Sequence, residues 1–267
     1  MSVTSCTDRH APPRADAAVS WTTQPPRWDD LANAVIVAGH AVFLGEGHDD
    51  ATDPRRWYLL PYQVGEVPCY LEHVRVAVEQ AAADPRALLI FSGGQTRAEA
   101  GPRSEALGYW RIAAGLAWWG HAEVAARCAV EDYSRDSFEN LLFGLCRFFE
   151  CTGRYPERVT VVSWAFKRER FDHHRAALRL PRDRFQFIGP NDPPARKTAL
   201  QGEAATLALF ARDPYGALPG GALDRKRGER NPFRRQPAFS VSNPALRELL
   251  QHRGPALFPG PLPWDPS

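Results

Sequence analysis

The sequence predicts an α/β protein, a Rossmann-like three-layer α/β/α sandwich on a mostly parallel sheet of about five strands. Three observations carry this. Short apolar runs alternate with longer segments whose apolar residues recur every three or four positions. The short runs are apolar throughout rather than alternating, as in strands covered on both faces. Glycine or polar residues follow each run, where an open parallel sheet places its ligands.

The elements follow in order. Ala34–Ala38 reads as the first strand, ending at Gly39-His40, and residues 45–65 as a long polar loop. Val67, Tyr70, Leu71, Val74, Val78 and Ala81 mark a helix over 66–83. Ala87–Phe91 is a strand ending in Ser92-Gly93-Gly94, and 103–119 a helix. A strand over 124–130 precedes a helix over 137–151, which Gly153 terminates. Arg158–Ser163 is β-branched and reads as the fourth strand. A basic helix, Lys167–Leu180, then stops at Pro181. Arg184–Ile188 is the fifth strand and Thr198–Ala211 the last regular helix.

Residues 1–30 read as a flexible arm, 31–235 as the α/β domain, and 236–267, with seven prolines, as a loose tail. Within the tail, Asn243 and Pro244 predict a short helix to His252.

The 267 residues are 44% hydrophobic and 24% charged, with a net charge of +2. Nothing global points to nucleic acid or an anionic membrane, and no apolar run approaches the ~20 residues of a membrane span. Asp8 and Asp16 and the lack of a basic-then-apolar start argue against a leader. The five cysteines are odd in number and form no CxxC pair, so a disulfide framework or zinc site is not expected and a cytoplasmic location is.

Four constellations carry chemistry. Ser92-Gly93-Gly94, with a helix opening at Ser104-Glu105, offers backbone N–H groups and a helix dipole to an anion. Glu131, Asp132, Ser134, Asp136, Ser137, Glu139 and Asn140 crowd a strand end; Asp136 and Glu139 also fit a capping box. Carboxylates there can serve as a general base, hold a divalent metal such as Mg²⁺, or grip ribose hydroxyls. Ser163-Trp164 and the basic Lys167, Arg168 and Arg170 follow the fourth strand. Cations opening a helix oppose its dipole unless something anionic compensates. Gly39-His40 supplies a histidine for proton transfer, and Glu203 opens the last helix. The Arg/Lys-rich run 225–235 reads as a solvated basic patch.

In combination these segments resemble the DUF218 superfamily of Rossmann-like proteins, most closely its fungal-type cytosolic branch. The residues that carry the likeness are Gly39-His40-Ala41, Ser92-Gly93-Gly94 with Ser104-Glu105-Ala106, and Glu131-x-x-Ser134-x-Asp136-Ser137-x-Glu139-Asn140. Val161-Val-Ser163 with Phe166-Lys-Arg168 and Arg170, Gly202-Glu203 and Asp213-Pro-Tyr215-Gly216 complete it. It spans about residues 32–230. The resemblance implies an α/β/α fold with a polar pocket along the strand ends. Where the branch tends to show His-Glu after the fourth strand, this chain has Trp164-Ala165, and Trp164 is placed to stack on a flat ligand.

The expectation is an enzyme acting on a phosphorylated or nucleotide-like anion by hydrolysis or group transfer. Glu131, Asp132 and His40 are its candidate catalytic residues. The alternatives are a nucleotide or S-adenosylmethionine-type binding module, and a biosynthetic enzyme on a non-nucleotide substrate. Homo-oligomers fit any of these readings.

Overall fold

The computed structural model describes residues 28–46 and 49–266. Apart from residues 28–30, the arm expected at the N-terminus lies outside the described residues, as does Cys6. Five strands form one sheet: β1 (Asn33–Ala38), β4 (Ala87–Ser92), β5 (Cys128–Glu131), β6 (Arg158–Val162) and β7 (Phe185–Ile188). Their spatial order is β5-β4-β1-β6-β7, and every neighbouring pair is parallel. The two-residue strands β2 (Val42–Phe43) and β3 (Trp57–Tyr58) pair antiparallel inside the region expected to be all loop.

Alternate side chains of the sheet enter two cores. Ala34, Ile36, Leu88, Ile90 and Val161 face the helices α3 (Ser137–Thr152), α4 (Arg168–Ala177) and α5 (Arg196–Arg212). Val35, Val37, Leu89, Phe91 and Val162 face α1 (Val67–Ala82) and α2 (Glu105–Gly115). Both faces of the central strands β1 and β4 are buried, which is why these read as continuous apolar runs, whereas edge strand β7 leaves Gln186 exposed. The three-layer sandwich is as expected.

Three boundaries differ from the sequence reading. Helix α2 stops at Gly115 because Ala117, Trp118 and Trp119 all take left-handed φ, near +50°, which brings Trp118 against Phe91. The next segment winds as tight turns over Ala122–Arg127, so β5 begins only at Cys128. Helix α4 ends at Ala177 because Arg179 is left-handed (φ +51°) and reaches the C-terminal segment. Gly153 (φ +74°) closes α3 as predicted.

The proline-rich segment is not loose. Phe239, Leu246, Leu249, Phe258, Leu262 and Trp264 are buried in the α3–α5 core. Trp264 donates to Leu178 O at 2.5 Å, and Arg179 donates to Phe258 O and Gly260 O. Helix α7 (Phe239–Ser242) and a turn at Pro244–Leu246 lead into α8 (Arg247–Gln251). Asn243 does not cap; its Oδ1 accepts from Tyr155 OH instead. The segment reads as a tail because its apolar residues are spread among prolines, with no period to mark them.

Among the described residues no helix is long and apolar enough to cross a membrane.

Candidate functional site

The chain passes from β1 through β4 to β5 on one side, then jumps to β6 and β7 on the other. The loops leaving β1 and β6 therefore part toward opposite faces and open a crevice at the strands' carboxyl ends. A cavity of about 410 Å³ occupies it, lined by Ala38, Gly39 and His40 after β1 and by Ser163, Trp164 and Lys167 after β6. Its remaining walls include Glu105, Ser134, Asp136, Ser137, Asn140, Arg170 and Glu203, and also Glu66, Arg97, Arg135, Lys226 and Arg230.

The glycine pair is not an anion cradle. Gly93 N–H donates to Glu131 O and Gly94 N–H to Ser134 O. A Cβ on Gly94 would sit 2.6 Å from Ser134 O, so glycine is needed there for chain crossing. The N-terminus of α2 is equally occupied. Glu105 N–H and Ala106 N–H donate to Gly94 O and Gly93 O, and buried Ser104 accepts from Leu107 N–H. Ser92, Gly93, Gly94 and Ser104 thus shape the floor from beneath and do not line the cavity.

Nor do Glu131 and Asp132 face it. Glu131 is 1% exposed; its Oε2 accepts from Ser92 Oγ (2.6 Å) and its Oε1 from Tyr133 N–H and Ser134 N–H. Burial pushes its carboxyl up to about 7 against these bonds. Asn140 joins the same knot, donating to Ser92 Oγ and Ser134 Oγ. Asp132 is held by Arg235, at 2.8 Å. No three His, Cys, Asp or Glu side chains converge as metal ligands among the described residues. The two carboxylates expected to hold Mg²⁺ are spent on these contacts.

The basic run 225–235 is solvated only in part: Arg225 and Arg234 are exposed, whereas Arg227, in α6 (Ala222–Glu229), is 8% exposed. Arg227 binds Asp136 (2.7 Å) and Glu139 (3.3 Å) and donates to Gly216 O. Burial alone would raise the Asp136 carboxyl, but the Arg227 charge and hydrogen bonds hold it far below the usual range. Asp136 also caps α3, accepting from Glu139 N–H. Glu139 does not close the box onto the cap; its carboxylate accepts from the N–H of Arg135, one residue earlier.

Four cations approach the cavity around β6 and α6. Arg170 pairs with Glu203 at 2.6 Å, both nearly buried. No ion pair engages Lys167, Lys226 or Arg230 among the described residues. Lys226 and Arg230 are one helical turn apart, a spacing visible in the sequence that would have placed them together. Burial, then Arg230 and Arg170, bring the Lys226 amine down to about 8. Burial, with Arg170 next, lowers Lys167 as well. Arg168 points away: it is exposed, donates to Phe187 O and lies over the Phe187 ring.

Lys167 Nζ lies 3.3 Å from His40 Nδ1, and Ser163 Oγ is 3.4 Å from His40 Nε2. Burial, then the Lys167 charge, hold His40 well below 6.5, so the ring is neutral at neutral pH. Where Lys167 donates to Nδ1, the ring proton sits on Nε2, facing Ser163. In that tautomer His40 cannot activate Ser163 as a nucleophile. Ser137, expected at the site, lines the wall and bonds to buried His174 at 2.8 Å.

Trp164 is 3% exposed and packed among His40, His73, Tyr70 and Phe166, with the His73 ring 4.8 Å away. So deeply packed, it has no open face for stacking.

The chain is 25% identical to a Saccharomyces cerevisiae protein named "Uncharacterized protein YOR238W", over 79% of this chain and 88% of the yeast protein. No family model matches the chain, and no solved structure does.

Proposed function

We propose that the protein is an enzyme acting on a phosphorylated or nucleotide-like small molecule, by hydrolysis or group transfer, in the β1/β6 crevice. The observation that carries this is the excess of cation there. Lys167, Lys226 and Arg230 border one cavity and form no ion pair among the described residues; bringing several like charges together costs energy that Glu203 offsets in part and a bound anion would offset further. Fixed cations around a transferring phosphoryl group stabilise the charge of its transition state. In this reading Lys226, Arg230 and Lys167 hold the anion, and neutral His40 moves a proton. The cavity volume is within the ~300–1,000 Å³ of small-molecule sites.

The same reading places the chain with the DUF218 proteins and in the cytosol. The five-stranded parallel sheet with a polar crevice at its strand ends supports the first. The second draws on the four described cysteines, all of them free.

A non-catalytic nucleotide-binding role is favoured by one observation: Glu131, Asp132 and Asp136, the carboxylates best suited to proton transfer, are all tied up. Two measurements separate the readings. Thermal shift with AMP and inorganic phosphate should show stabilisation, about 2.7 kcal/mol at a hundred times Kd. Phosphate release or transfer from nucleotide substrates should then disappear in His40→Asn while AMP binding persists. No shift with any phosphate at millimolar concentration removes both readings.

A further inference from the structure

Among the pocket's polar groups, Arg170 and Glu203 stand apart. Arg170 Nη2 lies 2.6 Å from Glu203 Oε2, whereas Arg170 Nε and Glu203 Oε1 have no hydrogen-bond partner among the described residues. Both side chains are about nine-tenths buried, 10% and 8% exposed, and both residues line the cavity. Buried polar atoms are nearly always partnered, so a buried donor and a buried acceptor without a protein partner, on two residues that line one cavity, mark a place for a ligand group. Gly202, next to Glu203 on the same wall, leaves open space where a side chain would project.

A hydroxyl fits this pair. It donates to a carboxylate and accepts from an N–H at once. An ammonium or sulfonium does not, because Glu203 is already neutralised by Arg170, and Lys167 and Lys226 add further positive charge around it.

We infer that the Arg170–Glu203 pair is a hydroxyl-reading subsite and that the pocket's ligand is a phosphate ester of a sugar or nucleoside with free ring hydroxyls. The inference rests on the anion-binding reading of the same pocket and adds its specificity. Phosphate meets the Lys226 and Arg230 side of the cavity; the hydroxylated body meets α4 and α5. An S-adenosylmethionine-type ligand, which brings a sulfonium and an ammonium, is disfavoured on the same grounds.

The test is calorimetric binding of AMP and of 2′,3′-dideoxy-AMP to the full chain and to Glu203→Leu. The wild type should prefer AMP by roughly tenfold to a hundredfold, the range for one hydrogen bond to a charged group. The leucine variant should lose most of that preference while keeping its affinity for the dideoxy ligand within a few-fold. Should Glu203→Leu fail to fold, Glu203→Gln serves instead, with the preference falling severalfold. Equal loss for both ligands would mean that Glu203 only supports Arg170, and would overturn the inference, as would tighter binding of S-adenosylmethionine than of AMP. Binding of inorganic phosphate without AMP overturns it while leaving the anion site standing. Failure of every phosphate compound to bind removes the underlying reading as well.

Discussion

Replacing Arg227 with alanine removes one of the contacts that join α6 to the cavity wall. The guanidinium meets Asp136 at 2.7 Å and Glu139 at 3.3 Å, with side-chain exposures of 10%, 6% and 4%. It also donates to Gly216 O at 2.9 Å. The substitution strands a buried carboxylate at Asp136, whereas Glu139 keeps Arg135. Breaking a buried pair from one side costs about 3–5 kcal/mol. At about 2–4 °C per kcal/mol for a domain of this size, the melting temperature should fall by roughly 6–20 °C. The deficit should depend on pH. Arg227 holds Asp136 below the usual carboxylate value of about 3.9, so the stability it confers is complete above that value. That stability is lost as pH falls through the depressed folded value. Wild type and variant should therefore converge as pH drops from about 5 toward 2. Adding Asp136→Asn should recover part of the loss at neutral pH. Chemical denaturation across that pH range reads all three. A change within about 0.5 kcal/mol at pH 7, or a deficit that does not narrow in acid, would refute the assignment of Arg227 to this pair.

Lys226→Met should weaken phosphate binding by roughly tenfold or more, for one lost charged contact. Wild-type affinity should fall as pH rises through about 8, where the amine loses its proton; titration calorimetry at pH 7 and 9 checks both, and a variant with the same pH dependence as wild type would exclude Lys226 as the titrating group. Glu131→Gln should leave AMP binding intact, because the carboxylate lies below the cavity floor; loss of binding in a folded variant would contradict that placement. Its raised folded value means that Glu131 favours the fold below the unfolded value, about 4.3, and that this contribution is lost by about pH 7. Wild-type stability should accordingly decline over that window more than the variant's. Trp264→Ala should cost about 3–5 kcal/mol, as for a fully packed core aromatic, and a near-neutral result by thermal denaturation would show the C-terminal segment to be dispensable.

The central strands were legible because burial on both faces leaves an unbroken apolar run, and the strand ends announced themselves with glycine, serine or, after β5, acidic residues. The position of the crevice was legible for the same reason. What the sequence did not disclose was which polar groups were already satisfied. Glu131, Asp132 and Asp136 share one loop, yet their partners are Ser92, Arg235 and Arg227, about 40 to 100 residues away in the chain. The glycine pair reads as an anion cradle until its N–H groups are traced to Glu131 O and Ser134 O. The run 225–235 looks solvated because charge alone does not reveal a buried counter-charge, and the last thirty residues look loose because prolines break the periodicity that reports burial.

Helix α6 is encoded after the last sheet strand. A ribosome releases the chain from its N-terminus onward, so all five sheet strands can emerge and pair before Lys226 and Arg230 exist. Such a nascent chain would have the crevice and only part of its positive field. The full positive field of the crevice is in place only once the segment that carries α6 docks.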